Sequence, residues 1–194
     1  RHTRFRNVTG VQTCALPISR MAHHFHIPLQ SGSRRVLREM RRPYQPDYYA
    51  NLVRSIRDRV PDAAIGADVM VGFPGETDEE FSETFRLIEE SPLTYLHIFP
   101  YSSRPGTVAA SLPTPVPSHV ANFRAKALRQ LIALKNQRFR TDMIGQTLQV
   151  LVLQEGDALS SNFVRVSVPL DLRANHWTAV KVSGLDRDGL IATA

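Results

Sequence analysis

The stretch Asp68–Phe81, DVMVGFPGETDEEF, decides how this chain is read. An apolar run rich in β-branched residues stops at Gly72-Phe73-Pro74-Gly75, and an acidic helix start follows at once. Thr77 with Glu80 three residues later forms a capping box, and Asp78 and Glu79 put negative charge where the helix dipole favours it. Phe81, Phe85 and Ile88 then fall on one helical stripe. Upstream, residues 63 to 71 are apolar on both faces, the pattern of a parallel strand covered by helices.

Working outward, the same alternation recurs. Residues 23 to 30 read as a short strand ending in the turn-forming QSGS, followed by a helix over 34 to 42 that Pro43 and Pro46 interrupt. A second helix starts near Pro46 and Asp47, with Tyr49, Leu52, Val53, Ile56 and Val60 on one face, and Pro61 stops it. TYLHIFPYS, residues 94 to 102, gives a third strand. LPTPVPS, residues 112 to 118, leads into a long basic helix over 118 to 140. Its apolar positions Val120, Phe123, Ala127, Leu131 and Leu134 are expected to pack inward, leaving Arg124, Lys126, Arg129 and Lys135 outward. Strand and helix alternating in this way predict right-handed crossovers and a parallel sheet or barrel. From Ile144 the texture changes to short alternating runs, QTLQVLVLQE, NFVRVSVPL and WTAVKVSGLD, which predict a small antiparallel β-barrel beginning near residue 143.

The 194 residues, 42% of them hydrophobic, are enough for one ordinary domain and a small appendage. The net charge of +6 hides a strong asymmetry: residues 1 to 60 carry +9, 61 to 115 carry −7, 116 to 140 carry +6 and 141 to 194 carry −2. Such blocks make localised patches, one of which could follow a nucleic-acid backbone. No apolar run approaches the ~20 residues of a membrane helix, so cytoplasmic residence without a membrane partner is expected. Cys14 is the only cysteine, which excludes a disulfide framework and a cysteine-rich metal site built from this chain alone.

Residues 1 to 19 read poorly as structure. They resemble translated sequencing-adapter DNA at the edge of a gene model, so the natural protein is expected to enter near Ser19 or Arg20, and a signal peptide is disfavoured.

In parallel sheets and barrels, sites gather at the carboxyl ends of the strands. Here those ends are Gln30-Ser31-Gly32-Ser33, Gly72-Phe73-Pro74-Gly75-Glu76 and Ser102-Ser103-Arg104-Pro105-Gly106-Thr107. Glycine admits a flat ligand close to the main chain, Phe73 offers apolar surface, and Gln30 and Ser31 can hydrogen-bond hydroxyls. Each loop alone is read first as a plain strand-to-helix turn.

Together, HIPLQSGS with VLREMRRPY, DVMVGFPGETDEEF and HIFPYSSRPGTVAA resemble consecutive segments of the radical S-adenosylmethionine methylthiotransferases. The likeness runs from about Phe25 to the end of the chain. Within the family, LHIFPYSSRPGT, VPSHVANFRAKALRQL and SSNFVRVSVP resemble most the branch acting on N6-threonylcarbamoyladenosine of tRNA. The isopentenyladenosine and ribosomal-protein branches are the alternatives. The resemblance implies an α/β fold: the carboxyl-terminal part of a partial (β/α) barrel over residues 20 to 142, then a small TRAM-like RNA-binding barrel over 143 to 194. It also implies S-adenosylmethionine as cofactor, an electron donor, tRNA as partner and two [4Fe-4S] clusters held by six cysteines in the full-length protein. Those cysteines are not in this chain, so the chain alone is expected to be inactive.

Carried over residue by residue, the cofactor-binding set is Gln30, Ser31, Gly32, Asp68, Gly72, Phe73, Pro74, Gly75 and Glu76. Gln30 and Ser31 would lie along the methionine or ribose, and the Gly72 to Glu76 loop would take the adenine. Arg42 matches a basic family position. His26 is read as core-lining or hydrogen-bonded, and no metal site is expected from His23 or His24. The RNA-binding set is Arg124, Lys126 and Arg129 on the basic helix with Asn162, Phe163 and Arg165 on the barrel; Trp177 and Lys181 are weaker candidates. Two rival readings are a non-enzymatic RNA-binding protein and a metal-independent barrel enzyme using Asp68 with His26.

Overall fold

Three strands set the frame of the first domain. In the computed structural model, which describes residues 22–193, β1 (His24–His26), β2 (Ala64–Val71) and β3 (Tyr95–Pro100) pair in parallel in that order. His26 lies opposite Gly66, and Asp68 lies opposite His97. Residues 1 to 19, with Cys14, fall outside the described residues.

The helices follow from local chemistry. α1 (Arg34–Glu39) is capped by the Ser33 hydroxyl, which accepts from the Val36 amide. α2 (Pro46–Arg59) begins on proline, which needs no amide partner in the first turn. α3 (Asp78–Glu90) carries the reciprocal capping box of Thr77 and Glu80 that the sequence predicts. α1 stops at Glu39, short of the expected Arg42.

The helices pack on one face of the sheet. Ile65, Ala67, Val69 and Val71 of β2 are wholly buried in one core with Tyr49, Val53 and Ile56 of α2, Ile88 of α3, and Ala125, Leu128 and Ile132 of α4 (Ser118–Thr141). Burying each large aliphatic side chain stabilises the fold by about 1.5–3 kcal/mol. The expectation that β2 is covered on both faces is corrected here. Its other face, with His24 and His26 of β1 and Tyr95, His97 and Phe99 of β3, carries Gly66, Asp68 and Met70 beyond the helix layer, and Asp68 and Met70 are only half-buried. Gly66 is required because a Cβ there would lie 1.9 Å from the Tyr95 ring.

α4 spans the expected residues but is rotated about its axis. Ala121, Arg124, Ala125, Leu128 and Ile132 face the core, while Phe123 and Leu134 are 71% and 67% exposed. Arg124 is therefore inward, not outward. A guanidinium can occupy a core-facing position when carboxylates meet it, as Glu76 and Asp78 do here.

The second unit is a closed barrel of β4 (Thr147–Gln154), β5 (Asp157–Ser160), β6 (Arg165–Ser167), β8 (Leu190–Thr193) and β7 (Trp177–Leu185). Its core holds Met143, Val150, Val152, Ala158, Val166, Val180, Val182 and Leu190. The barrel is mixed rather than wholly antiparallel: β6 and β8 run parallel. Parity demands it, because five strands in a ring cannot all alternate in direction.

The barrel sits on the edge of the first sheet. The His23 amide donates to the Ser161 carbonyl (2.9 Å), the Asn162 side-chain amide donates to the Asp62 carbonyl (2.7 Å), and the Phe163 ring lies 4.8 Å from that of His24. At the end of α4, Arg140 donates to the carbonyls of Asp186 and Gly189. No helix among the described residues is long and apolar enough to cross a membrane.

Candidate functional site

The carboxyl ends of the three strands enclose a cavity of about 660 Å³. Gln30, Met70, Phe73 and Tyr101 line it, and Arg42 and Arg104 add positive charge. A second cavity of about 540 Å³, containing Arg57, Lys135 and Phe139, lies between the helix layer and the residues that lead into the barrel. The first is the better candidate, because it lies where parallel sheets present ligands and joins apolar walls to a few polar groups.

Two features of this cavity point to a ligand. Gln30 adopts a left-handed backbone (φ 67°), and its amide and carbonyl pair with Asp68 and Met70 of β2, which fixes where the residue sits at the sheet end. The Tyr101 hydroxyl is buried without a hydrogen-bond partner, while its ring meets Phe73 edge-on at 5.7 Å. A buried, unpaired hydroxyl costs about 1–3 kcal/mol, a penalty that a bound polar group removes. Sequence reasoning missed Tyr101, although its position one residue beyond β3 could have pointed to it.

The glycines answer to helices instead. A Cβ on Gly32 would stand 2.6 Å from the Thr84 Cα of α3, and one on Gly72 would stand 2.7 Å from the Ala121 Cβ of α4. Ser31 is wholly buried, its hydroxyl engaged with Thr84 Oγ1 and the Ser33 amide. Of the expected cofactor set, Gln30 and Phe73 line the cavity, while Ser31, Gly32, Asp68, Gly72, Pro74, Gly75 and Glu76 do not.

Glu76 departs furthest from expectation. It is 5% exposed and turned into the protein, where one carboxylate oxygen accepts from the Gly72 amide (2.7 Å) and from Arg124 (2.7 Å). Burial pushes its carboxyl above the ordinary range, against the pull of the Gly72 N–H and the Arg124 guanidinium. Arg124 also reaches Asp78 at 2.7 Å. From the other side, Arg35 donates to the Gly75 carbonyl and to Glu80, whose carboxyl it holds below the usual range. Two arginines thus brace the GFPGE loop.

Below the cavity, the open sheet face brings His26, Asp68 and His97 together. His26 Nε2 is 3.0 Å and His97 Nδ1 is 3.2 Å from the same Asp68 oxygen, and the Tyr95 hydroxyl is 3.2 Å from His26 Nδ1. The sequence pairs Asp68 with His26 only as the acid and base of a rival barrel-enzyme reading. His97 was missed because nothing local marks it; only parallel register sets it opposite Asp68.

The expected RNA-binding residues divide. Lys126 and Arg129 are exposed on α4, Phe163 is 55% exposed, and Arg165 is exposed but pairs in a bidentate manner with Asp157. Arg124 and Asn162 are corrected: the first is buried in its carboxylate pair, the second is 1% exposed and holds the barrel to the sheet. Trp177 and Lys181 are exposed on the barrel.

Comparison with known proteins adds a family. Residues 16–88 match the Radical SAM superfamily. The chain is similar to threonylcarbamoyladenosine tRNA methylthiotransferase MtaB of Aquifex aeolicus, 40% identical over 76% of this chain and 36% of that protein. It is similar to tRNA-2-methylthio-N(6)-dimethylallyladenosine synthase of Thermobifida fusca, 44% identical over 66% of this chain and 26% of the relative. With MtaB of Bacillus subtilis it shares 45% identity over 61% of this chain and 26% of the relative. The chain therefore spans about a quarter to a third of the length of these relatives. Its strand-end loops and the run of these alignments agree: the chain belongs to the radical S-adenosylmethionine methylthiotransferase family.

Proposed function

We infer that the chain supplies the S-adenosylmethionine-holding end of a tRNA methylthiotransferase barrel, together with a module that grips tRNA. The observation that carries this reading is the strand-end cavity, where Gln30, the apolar Phe73 and Met70, and the unpartnered Tyr101 hydroxyl suit a ligand that is part flat ring and part polar chain. In this reading Arg42 or Arg104 meets a carboxylate or phosphate. Held here, S-adenosylmethionine would supply one-electron radical chemistry to the enzyme, with Gln30, Phe73 and Tyr101 as the residues that would hold it. A [4Fe-4S] cluster does not fit the described residues, which contain no cysteine. The chain by itself is therefore read as inactive, its clusters and electron donor belonging to the full-length enzyme.

The substrate branch we favour is N6-threonylcarbamoyladenosine, supported by HIFPYSSRPGT and SSNFVRVSVP and by the MtaB relatives. The dimethylallyladenosine branch is the alternative, since relatives of that name align equally well. RNA contact is assigned to Lys126, Arg129, Phe163 and Arg165.

Equilibrium dialysis with labelled S-adenosylmethionine tests the cavity. Gln30→Ala and Tyr101→Phe are expected to weaken binding about tenfold, the worth of one or two hydrogen bonds. Binding unchanged in both variants would move the cofactor elsewhere. Nucleoside mass spectrometry of tRNA from a strain lacking the gene decides the branch: loss of the methylthio group from threonylcarbamoyladenosine alone is expected, and loss from dimethylallyladenosine alone would favour the alternative.

A further inference from the structure

We propose that His26, Asp68 and His97 form a site for a divalent first-row metal ion, of the class of zinc or cobalt(II), on the open face of the first sheet.

The placement comes from the strands. β1, β2 and β3 lie side by side in parallel, and each sends one ligating side chain to the same face: Asp68 and His97 stand opposite each other, and His26, opposite Gly66 one repeat earlier, reaches along the face to the Asp68 oxygen. All three ligand atoms lie within 4.8 Å of one another. In a tetrahedral site with bonds of about 2.0 Å, ligand atoms stand about 3.3 Å apart. The two edges that meet at the Asp68 oxygen measure 3.0 and 3.2 Å, so two of three edges already have the required length. Only the edge between the two imidazoles must shorten, and the 58% exposed His97 side chain has room to turn.

The donor set is chemically apt. Two imidazoles and one carboxylate suit zinc, cobalt or ferrous iron and leave positions open for water or a ligand. Asp68 has no competing cation: its ion pairs among the described residues are with these two imidazoles alone. Tyr95 supplies what ligating histidines usually have, a partner on the second ring nitrogen. With its hydroxyl 3.2 Å from His26 Nδ1, that nitrogen can keep its proton and leave Nε2 unprotonated toward the ion. Gly66 makes this possible, since any side chain there would displace the Tyr95 ring.

Position gives the site a use. Met70 follows Asp68 by two residues on the same strand face and lines the strand-end cavity. An ion held by Asp68 therefore sits about one strand repeat, roughly 7 Å, below that cavity. Its open positions would take an oxygen or nitrogen donor from whatever fills it. The site requires no thiolate and does not depend on the cofactor reading above.

The test uses the chain as it stands, purified without a histidine tag and titrated with cobalt(II) while visible d–d absorption is followed. One cobalt per chain is expected, displaced by zinc. His97→Asn and Asp68→Asn should each weaken binding more than tenfold, and Tyr95→Phe on the order of tenfold, the usual effect of removing an outer partner. His23→Gln and His176→Gln, which alter histidines outside the cluster, should leave the spectrum unchanged. If Asp68→Asn does not fold, the exposed His97 carries the test. Absence of a one-to-one spectrum, or binding in His97→Asn equal to the parent, overturns the site and leaves a hydrogen-bonded imidazole–carboxylate network in its place.

Discussion

The two faces of β2 belong to one strand of eight residues and obey opposite rules. Toward the helices stand Ile65, Ala67, Val69 and Val71, each fully buried. Toward the other side stand Gly66, Asp68 and Met70, in the company of three histidines, Tyr95 and Phe99. A strand's period of two separates these sets completely, so one face can be optimised for packing while the other collects groups that bind protons, metals or aromatic ligands. Stability is concentrated on the first face and chemistry on the second.

The largest test of that division lies at the helix side of the GFPGE loop. Arg124→Ala leaves the Glu76 carboxylate buried and uncompensated, and should cost about 3–5 kcal/mol in urea unfolding. Arg124→Met combined with Glu76→Gln should recover most of it, because no uncompensated charge remains and the amide oxygen still accepts from the Gly72 N–H. A loss below 1 kcal/mol for the single variant would show that the loop relaxes and lets water in.

Two glycines sharpen the comparison. Gly32→Ala pushes a methyl into the α3 backbone at Thr84, where nothing can yield, and should cost about 3 kcal/mol. Gly66→Ala meets only the Tyr95 ring, which can swing away from the open face, and should cost about 1 kcal/mol. Equal costs in thermal unfolding would mean that the open face is as tightly constrained as the packed one.

Acid unfolding gives a smaller effect. Arg35 lowers the folded-state pKa of Glu80, so this carboxylate contributes stability above its ordinary value of 4.5 that is lost as pH falls through the lowered one. Glu80→Gln should therefore flatten the acid limb of a stability profile below about pH 4.5. Glu76 acts with the opposite sign: burial raises its pKa, so protonation on acidification relieves a cost. The smallest effect is at the open face, where His97→Asn should change stability by no more than about 0.5 kcal/mol while altering metal binding.

What could be read from the sequence was what is local. Thr77 and Glu80 announce their capping box because both partners lie within one turn, and Pro46 and Pro61 bracket α2 for the same reason. The face of α4 was misread because Phe123 and Leu134 look like core residues and Arg124 does not. Only the carboxylates of Glu76 and Asp78, far away in sequence, make arginine the inward choice. The glycines of QSGS and GFPGE were read as room for a flat ligand. The sequence does not say whether a ligand or a helix presses on them, and in Gly32 and Gly72 it is a helix. His97 and Tyr101 were invisible because their meaning depends on strand register and on a cavity wall. The barrel's parallel seam is also non-local, arising only when β8 returns beside β6.

α4 is held at both ends by arginines of unlike duty. Arg124 is locked into the loop beside the strand-end cavity, and Arg140 binds the carbonyls of the turn that leads into β8. Sixteen residues of helix separate them, a strut of about 24 Å. Ala125, Leu128 and Ile132, buried between the two arginines, seat this strut on the sheet, so the loop that borders the cavity and the turn into β8 are braced on one element.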